Sequence, residues 1–254
     1  NFPVSNIVYQ GYFHDPRLKT SANHAAKFEA GTWGRKTGSG WFSYAEGAER
    51  PSPDFVPTGA PSPVCLAEDS DALRALADEL RLNVKPEDGT LPILAAPVGE
   101  DATRTAIRLG MEARRLVCVD PLGDRSKRVT LMTAPGAHPR CLDSVAAGIV
   151  AGGRVATAIK DSPGFVGQRI AAMVANLGCY MAEIGLAAPE DIDLAMTLGL
   201  NYPQGPLALV ETIGAERTHT VLASAQTLTG EDRYRPTLWL SRRAALGLPI
   251  HTPN

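Results

Sequence analysis

The chain has 254 residues, 44% of them hydrophobic and 20% charged, with a formal net charge of -2. That length allows one large or two smaller soluble domains. The charge balance leaves no basic footprint for nucleic acid or an anionic membrane, and no apolar run nears the ~20 residues of a membrane-spanning helix.

The N-terminus has neither Met nor the basic-then-apolar layout of a secretion signal, and its mid-pattern start suggests a fragment. Cys65, Cys118, Cys141 and Cys179 form no C-x-x-C, and the histidines do not lie at metal-ligand spacing from them. Reduced, buried thiols in a cytoplasmic protein are the expectation, with no metal.

In chain order, residues 1–48 come first. His24 and Lys27 share one predicted helix face and are expected to be solvated. GTWGRKTG (31–38) fails phosphate-loop spacing because Arg35 follows Gly34, so a turn with a basic surface is expected. Residues 49–63, ERPSPDFVPTGAPSP, hold five prolines and read as an extended linker that folds against neither side.

The middle piece alternates strand and helix signals. PVCLAE (63–68) precedes the amphipathic DSDALRALADELRL, where Leu73, Leu76 and Leu80 recur at helical spacing after an Asp/Ser cap. LPILAAPV (91–98) reads as a strand and EDATRTAIRLGMEA as a helix. RRLVCVD (114–120) and KRVTLM (127–132) are strands, HPRCLDSVAAGIVAG a helix and RVATAIKD (154–161) a last strand. Apolar strands alternating with helices argue for an open, mainly parallel sheet covered by helices. Around one hundred residues is short for a full dinucleotide-binding fold.

A boundary falls at KDSPGF, and the rest is helical. From Phe165, the residues Val166, Ile170, Met173, Val174, Leu177, Met181 and Ile184 form one stripe, read as helix packing or a subunit interface. Small residues between them would let another helix come close. Asn201–Pro206 is a rigid turn in which Pro203, Gly205 and Pro206 set the path into the next helix. Residues 16–31 align without a gap to 232–247, with Arg17 on Arg233, Lys19 on Arg235, Ser21 on Thr237, Lys27 on Arg243 and Gly31 on Gly247. The repeat suggests that the first piece is the tail of a helical domain whose second copy is the last piece.

KDSPGFVGQRI (160–170) and APEDIDLAMTLGLNYPQGPLALVETIG (188–214) resemble the C-terminal helical domain of the 3-hydroxyacyl-CoA dehydrogenases. DPRLKTSANHAAKFEAGTWGRKTGSGWFSY (15–44) looks like the tail of the same domain, and the middle piece is similar to the family's NAD-binding domain cut down. The resemblance implies an α/β plus all-α fold: a reduced Rossmann-like domain between two helical C-terminal domains, the first truncated. Its divisions are 1–48 (tail of the first helical domain), 49–61 (linker), 62–160 (reduced α/β domain) and 161–254 (second helical domain).

The resemblance also shows what is missing. No G-x-G-x-x-G occurs, and the first strand–helix junction reads Leu66-Ala67-Glu68-Asp69-Ser70, acidic where a pyrophosphate would sit. The family's basic His would fall in Val117–Pro121, which has none; the next strand has Thr130 where its Glu is expected. The family's catalytic Asn is Gln168 here, one methylene longer. No residue is therefore assigned to catalysis or to cofactor binding.

The expected function is a non-catalytic scaffold: the C-terminal region of an NAD-dependent (3S)-3-hydroxyacyl-CoA dehydrogenase, which yields 3-oxoacyl-CoA. Its helical copies would stand in for a dimer interface and support the acyl-CoA cleft. NAD belongs to the parent, as do its acyl-CoA substrate and a separate N-terminal NAD-binding domain as partner; a homodimer is a further expectation. Two alternatives stand beside this one: a CoA- or nucleotide-binding regulatory module using the basic residues Arg125–Arg128, and an independently active enzyme on acyl-CoA.

Overall fold

The computed structural model describes residues 1–253. It divides into two compact units, 1–53 and 54–254.

The first unit holds helix α1 (Phe2–Gly11), a 3-10 turn at Pro16–Leu18, helix α2 (Ala22–Glu29) and a second 3-10 turn at Arg35–Thr37. Asp15 accepts the Arg17 N–H at 2.9 Å and pairs with its guanidinium at 3.1 Å. Ser21 caps α2 through the His24 N–H. The loop that follows folds back through bridges of Ser39 to Gly34 and Ser43, and a Cβ at Gly40 would lie 2.8 Å from Gly34 Cα, so only glycine fits there. No residue of 1–53 is buried.

The second unit begins with a five-stranded sheet in the order β1 (Cys65–Leu66), β2 (Ile93–Ala95), β3 (Leu116–Val119), β4 (Arg128–Met132), β5 (Val155–Ile159). All pairings are parallel except β3 with β4. Each strand falls inside the run that predicted it. Helices α3 (Asp71–Glu79), α4 (Ala102–Leu109) and α5 (Pro139–Ala151) connect the parallel neighbours. Ser70 and Asp101 cap α3 and α4, and Gly110 ends α4 in the left-handed conformation, φ 64°.

Strand alternation sends Leu94, Val117, Val119, Val129 and Leu131 into one core with α3 and α5; Ile93, Ala95, Leu116, Cys118 and Met132 go to the other with α4. A bridge between Val64 and Val84 adds a strand residue outside β1. From β1 the chain therefore passes outward through α3 and then back across to β2.

The proline-rich segment departs from the expected free linker. Its second half is fastened to the α/β layer: Phe55 N–H donates to Ala156 O at 2.8 Å, and Asp143 accepts the Thr58 and Gly59 N–H groups, both at 2.7 Å. Asp54 pairs with Arg128 at 2.7 Å, and Phe55 packs on the core. Prolines remove donors, but the non-proline amides between them still need acceptors, and α5 and β5 supply them.

The helical part comprises α6 (Gly167–Glu183), α7 (Pro189–Leu200), α8 (Pro206–Ile213), α9 (Ala215–Thr229) and α10 (Leu238–Leu246). Along α6 it is the small and polar side that is buried: Gln168, Ala172, Ala175, Asn176, Gly178, Cys179 and Ala182. Of the apolar stripe, Phe165 is buried just ahead of the helix. Met173, Val174, Leu177 and Met181 are half-buried, and Val166, Ile170 and Ile184 are exposed. The stripe therefore divides: Phe165 lies in the core, Met173 and Met181 pack against it, and Val166, Ile170 and Ile184 face away from it. A Cβ at Gly178 would lie 2.6 Å from Pro206, so α8 approaches α6 as closely as backbone allows. Pro206 is buried in that contact and Gly205 is buried against Asp193 of α7, while Pro203 is exposed.

The repeat is carried by local structure. The 3-10 turns at Pro16–Leu18 and Asp232–Tyr234 coincide under the 216-residue offset. Asp15–Arg17 recurs as Glu231–Arg233, the Ser21 cap as the Thr237 cap, and left-handed Gly31 as Gly247.

Candidate functional site

The strand ends of β2 and β3 meet the start of α6, and here Gln168 is 3% exposed. A left-handed turn at Gly164 (φ 65°) and Phe165 (φ 50°) swings the chain from β5 into α6, with the Gly164 N–H on Glu100 O at 3.1 Å. Phe165, fully buried, anchors the turn. Asp161 steadies it from the other side by capping α4 through the Ala102 N–H at 2.7 Å and the Thr103 N–H at 3.3 Å.

The Gln168 carboxamide is fully engaged. Its Oε1 accepts the Gly99 N–H at 2.9 Å; its Nε2 donates to Asp120 Oδ1 at 2.9 Å and Pro97 O at 3.2 Å. Asp120, 5% exposed, also accepts the Leu122 N–H at 3.0 Å. Gly99 lies at φ 81°, and a Cβ there would lie 2.9 Å from Thr220 O and 3.0 Å from Val221 Cα. Helix α9 therefore packs directly on the backbone that Gln168 binds. The carboxylate beside this amide, Asp120, spends the same Oδ1 on Gln168 and on the Leu122 N–H. Cys118 is completely buried, and desolvation, reinforced by Asp161 and Glu100, holds its thiol well above the usual range and so protonated.

Sequence reasoning singled out Gln168 but not Asp120, Gly99 or Asp161 as its surroundings. The one signal was Asp120 directly before Pro121 at a strand end. Arg125, from the basic run, pairs with Glu79 at 3.0 Å and donates to Gly123 O at 3.0 Å, and Arg128 pairs with Asp54, so neither basic side chain is held ready for a phosphate. His138 is exposed. His24 and Lys27, expected to be solvated, are half-buried instead and line a cavity of about 690 Å3 together with Phe2, Phe28, Trp33 and Trp41.

The residues do not fit a dinucleotide. In dinucleotide-binding folds the pyrophosphate sits at the first strand–helix junction, on the N-terminus of the helix. At the β1–α3 junction, however, the Ser70 oxygen already takes the Leu73 N–H, and Asp69 is bound to Arg74. The cavity beside it, about 330 Å3, is lined by Cys65, Asp69, Arg74 and Glu87. Side chains occupy the approach that bare glycine backbone would need to leave open.

Residues 164–249 match the model of the 3-hydroxyacyl-CoA dehydrogenase C-terminal domain. The chain carries a 3-hydroxyacyl-CoA dehydrogenase C-terminal domain. Over 97% of its length the chain is 31% identical to the 3-hydroxyadipyl-CoA dehydrogenase of Escherichia coli K12, covering 48% of that protein. Over 84 residues it is 38% identical to a probable 3-hydroxybutyryl-CoA dehydrogenase of Bacillus subtilis, 29% of whose length is covered. The crystal structure of an E. coli K12 3-hydroxybutyryl-CoA dehydrogenase superposes with a TM-score of 0.74 at 29% identity, covering 97% of this chain and 48% of that one. The chain spans about half the length of these E. coli relatives, and less of the other. The likeness runs through the α/β layer and the dehydrogenase C-terminal domain alike, and Gln168 lies at their junction. No helix among the described residues is long and apolar enough to cross a membrane.

Proposed function

We propose that this chain is the C-terminal, non-catalytic region of an NAD-dependent (3S)-3-hydroxyacyl-CoA dehydrogenase. Its four parts are the tail of a first helical domain (1–48), a short connector, a reduced Rossmann-like layer and a second helical domain from 161 onward. The catalytic NAD-binding domain and the acyl-CoA substrate belong to the longer protein, with the helical copies supporting the cleft.

The observation that carries this reading is the Gln168 network. At the place where the resemblance puts a catalytic Asn, the amide is consumed by Gly99, Pro97 and Asp120, and α9 is packed against the same backbone. Catalysis needs a donor free to engage a reacting oxygen and a base within ~3 Å of the proton it removes. Gln168 is not free, and the buried Cys118 remains a thiol.

The test is NADH oxidation with acetoacetyl-CoA, run on the purified chain and on a version extended N-terminally to include an NAD domain. Activity confined to the extended version supports the scaffold. Turnover by the chain itself, at more than a trace of the extended rate, overturns it.

A further inference from the structure

The internal repeat lets one half of the molecule say what the other half lacks. In the 54–254 unit, α9 and α10 pack on α6, and the contact is keyed by two polar side chains. Asn176 takes the Thr237 N–H on its Oδ1 at 2.9 Å and donates from Nδ2 to Arg235 O at 2.9 Å; Glu183, two turns on, accepts the Trp239 N–H at 2.8 Å. These bonds satisfy backbone groups ahead of α10 and in its first turn that the helix itself cannot.

The counterparts in the first unit are Lys19 for Arg235, Ser21 for Thr237 and Asn23 for Trp239. The Lys19 carbonyl and the Ser21 and Asn23 N–H groups make no hydrogen bond among the described residues. The side chains follow the same rule. Thr218 and Leu240 are 0% exposed and Arg243 is 3% exposed, whereas their counterparts Phe2, His24 and Lys27 line the open cavity of about 690 Å3. Both halves have the same turn, cap, helix and glycine; within the 54–254 unit a helix is seated on them, and within the 1–53 unit none is.

We propose that the cleft formed by α1, α2 and the following loop is a docking groove for one helix of the α6 kind. That helix carries a face of Ala and Gly, an Asn that bridges Lys19 O and the Ser21 N–H, and a carboxylate seven residues later for the Asn23 N–H. Phe28, Trp33 and Trp41 supply the apolar walls. The two E. coli relatives reported above extend over about twice the length of this chain, which leaves ample sequence to supply such a helix. The inference rests on the repeat and not on the proposed enzymatic role, so either can fail alone.

Hydrogen exchange on the full chain, with and without a synthetic peptide of residues 164–186, tests it. The expected result is slowed exchange at Ser21 and Asn23 with a saturable change in tryptophan fluorescence. A peptide carrying Asn176→Ala should bind roughly fivefold more weakly, the factor expected for one lost hydrogen-bonding side chain. A Phe28→Asp chain should lose the effect. No protection at the highest peptide concentration overturns the proposal. So does equal binding of the two peptides, or strong protection of these amides in the free chain that peptide does not alter.

Discussion

The Gln168 carboxamide donates to the Asp120 carboxylate across 2.9 Å, joining the first turn of α6 to the end of β3. Both side chains are buried, and an unpaired polar group at such a site costs more than the bond itself is worth. Replacing Gln168 by Leu should therefore destabilise the chain by about 1–3 kcal/mol, measured as a lower urea midpoint at unchanged slope. Gln168→Asn restores the residue that the resemblance would place there. It should also destabilise, because the shorter side chain cannot span Gly99 and Asp120 together, and it should bring no dehydrogenase activity to the chain. An Asn variant as stable as the parent would refute this account of the network.

The C-terminal tail is held by a buried guanidinium. Arg243 donates from Nε to Thr252 O at 2.9 Å and from Nη1 to Trp239 O at 3.1 Å, and it lies 3.4 Å over the Trp239 ring. Trp239 in turn donates to Ile250 O at 2.9 Å. Arg243→Leu should cost about 1–3 kcal/mol, and removing residues 250–254 should destabilise as well. Combined, the two changes should cost clearly less than their sum, since they remove the same contacts. Full additivity in a double-mutant cycle would show that the tail and Arg243 act separately.

The strap at Thr58–Gly59 should loosen in acid. The Thr58 and Gly59 N–H groups hold the Asp143 carboxyl below its ordinary value, with Thr58 the larger influence. A depressed folded-state pKa adds stability at neutral pH, and that contribution declines below the unfolded value of about 3.9 and is gone once the folded group is protonated. The protection of the Thr58 and Gly59 amides, taken relative to their intrinsic exchange rates, should fall below about pH 4. Asp143→Asn should show little protection of these amides at neutral pH, and that protection should be nearly unchanged by acid over the same range. Equal acid sensitivity in both proteins would place the cause elsewhere.

The cysteines should be inert. Burial, then the Glu87 carboxylate at 2.6 Å, pushes the Cys65 thiol up to about 12, and desolvation pushes Cys179 up to about 12. A raised thiol pKa means almost no thiolate below pH 9, so iodoacetamide should label neither residue in the native chain and both after denaturation. Glu87→Gln should bring Cys65 down toward its ordinary range and speed its labelling selectively. No change in its rate would remove Glu87 from the explanation.

The strands and α3 to α5 could be read from the sequence because each pairs a clear period with a clear stop: Leu73 and Leu76 at helical spacing after Ser70, or Leu116–Val119 as an unbroken buried run. What escaped was long-range. Asp143 lies 85 residues from Thr58, and no local pattern announces that the proline-rich strap would find acceptors on α5 and β5. The α6 stripe shows the opposite limit. Its large side chains, Ile170 and Ile184, stand out in a periodicity analysis, yet close packing against α8 chose the Ala and Gly side. At the candidate site Gln168 was visible against the family pattern, whereas Asp120 and Gly99 join it only through the tertiary fold.

Asp161 and Gly164 fasten the short connector between β5 and α6 to the α4 end of the sheet, while Gln168 ties the next turn to β2 and β3. A joint gripped from both directions cannot swing. Heat should therefore melt the sheet and the α6–α10 bundle in one calorimetric transition, and a ligand gripping either would raise the melting temperature of both.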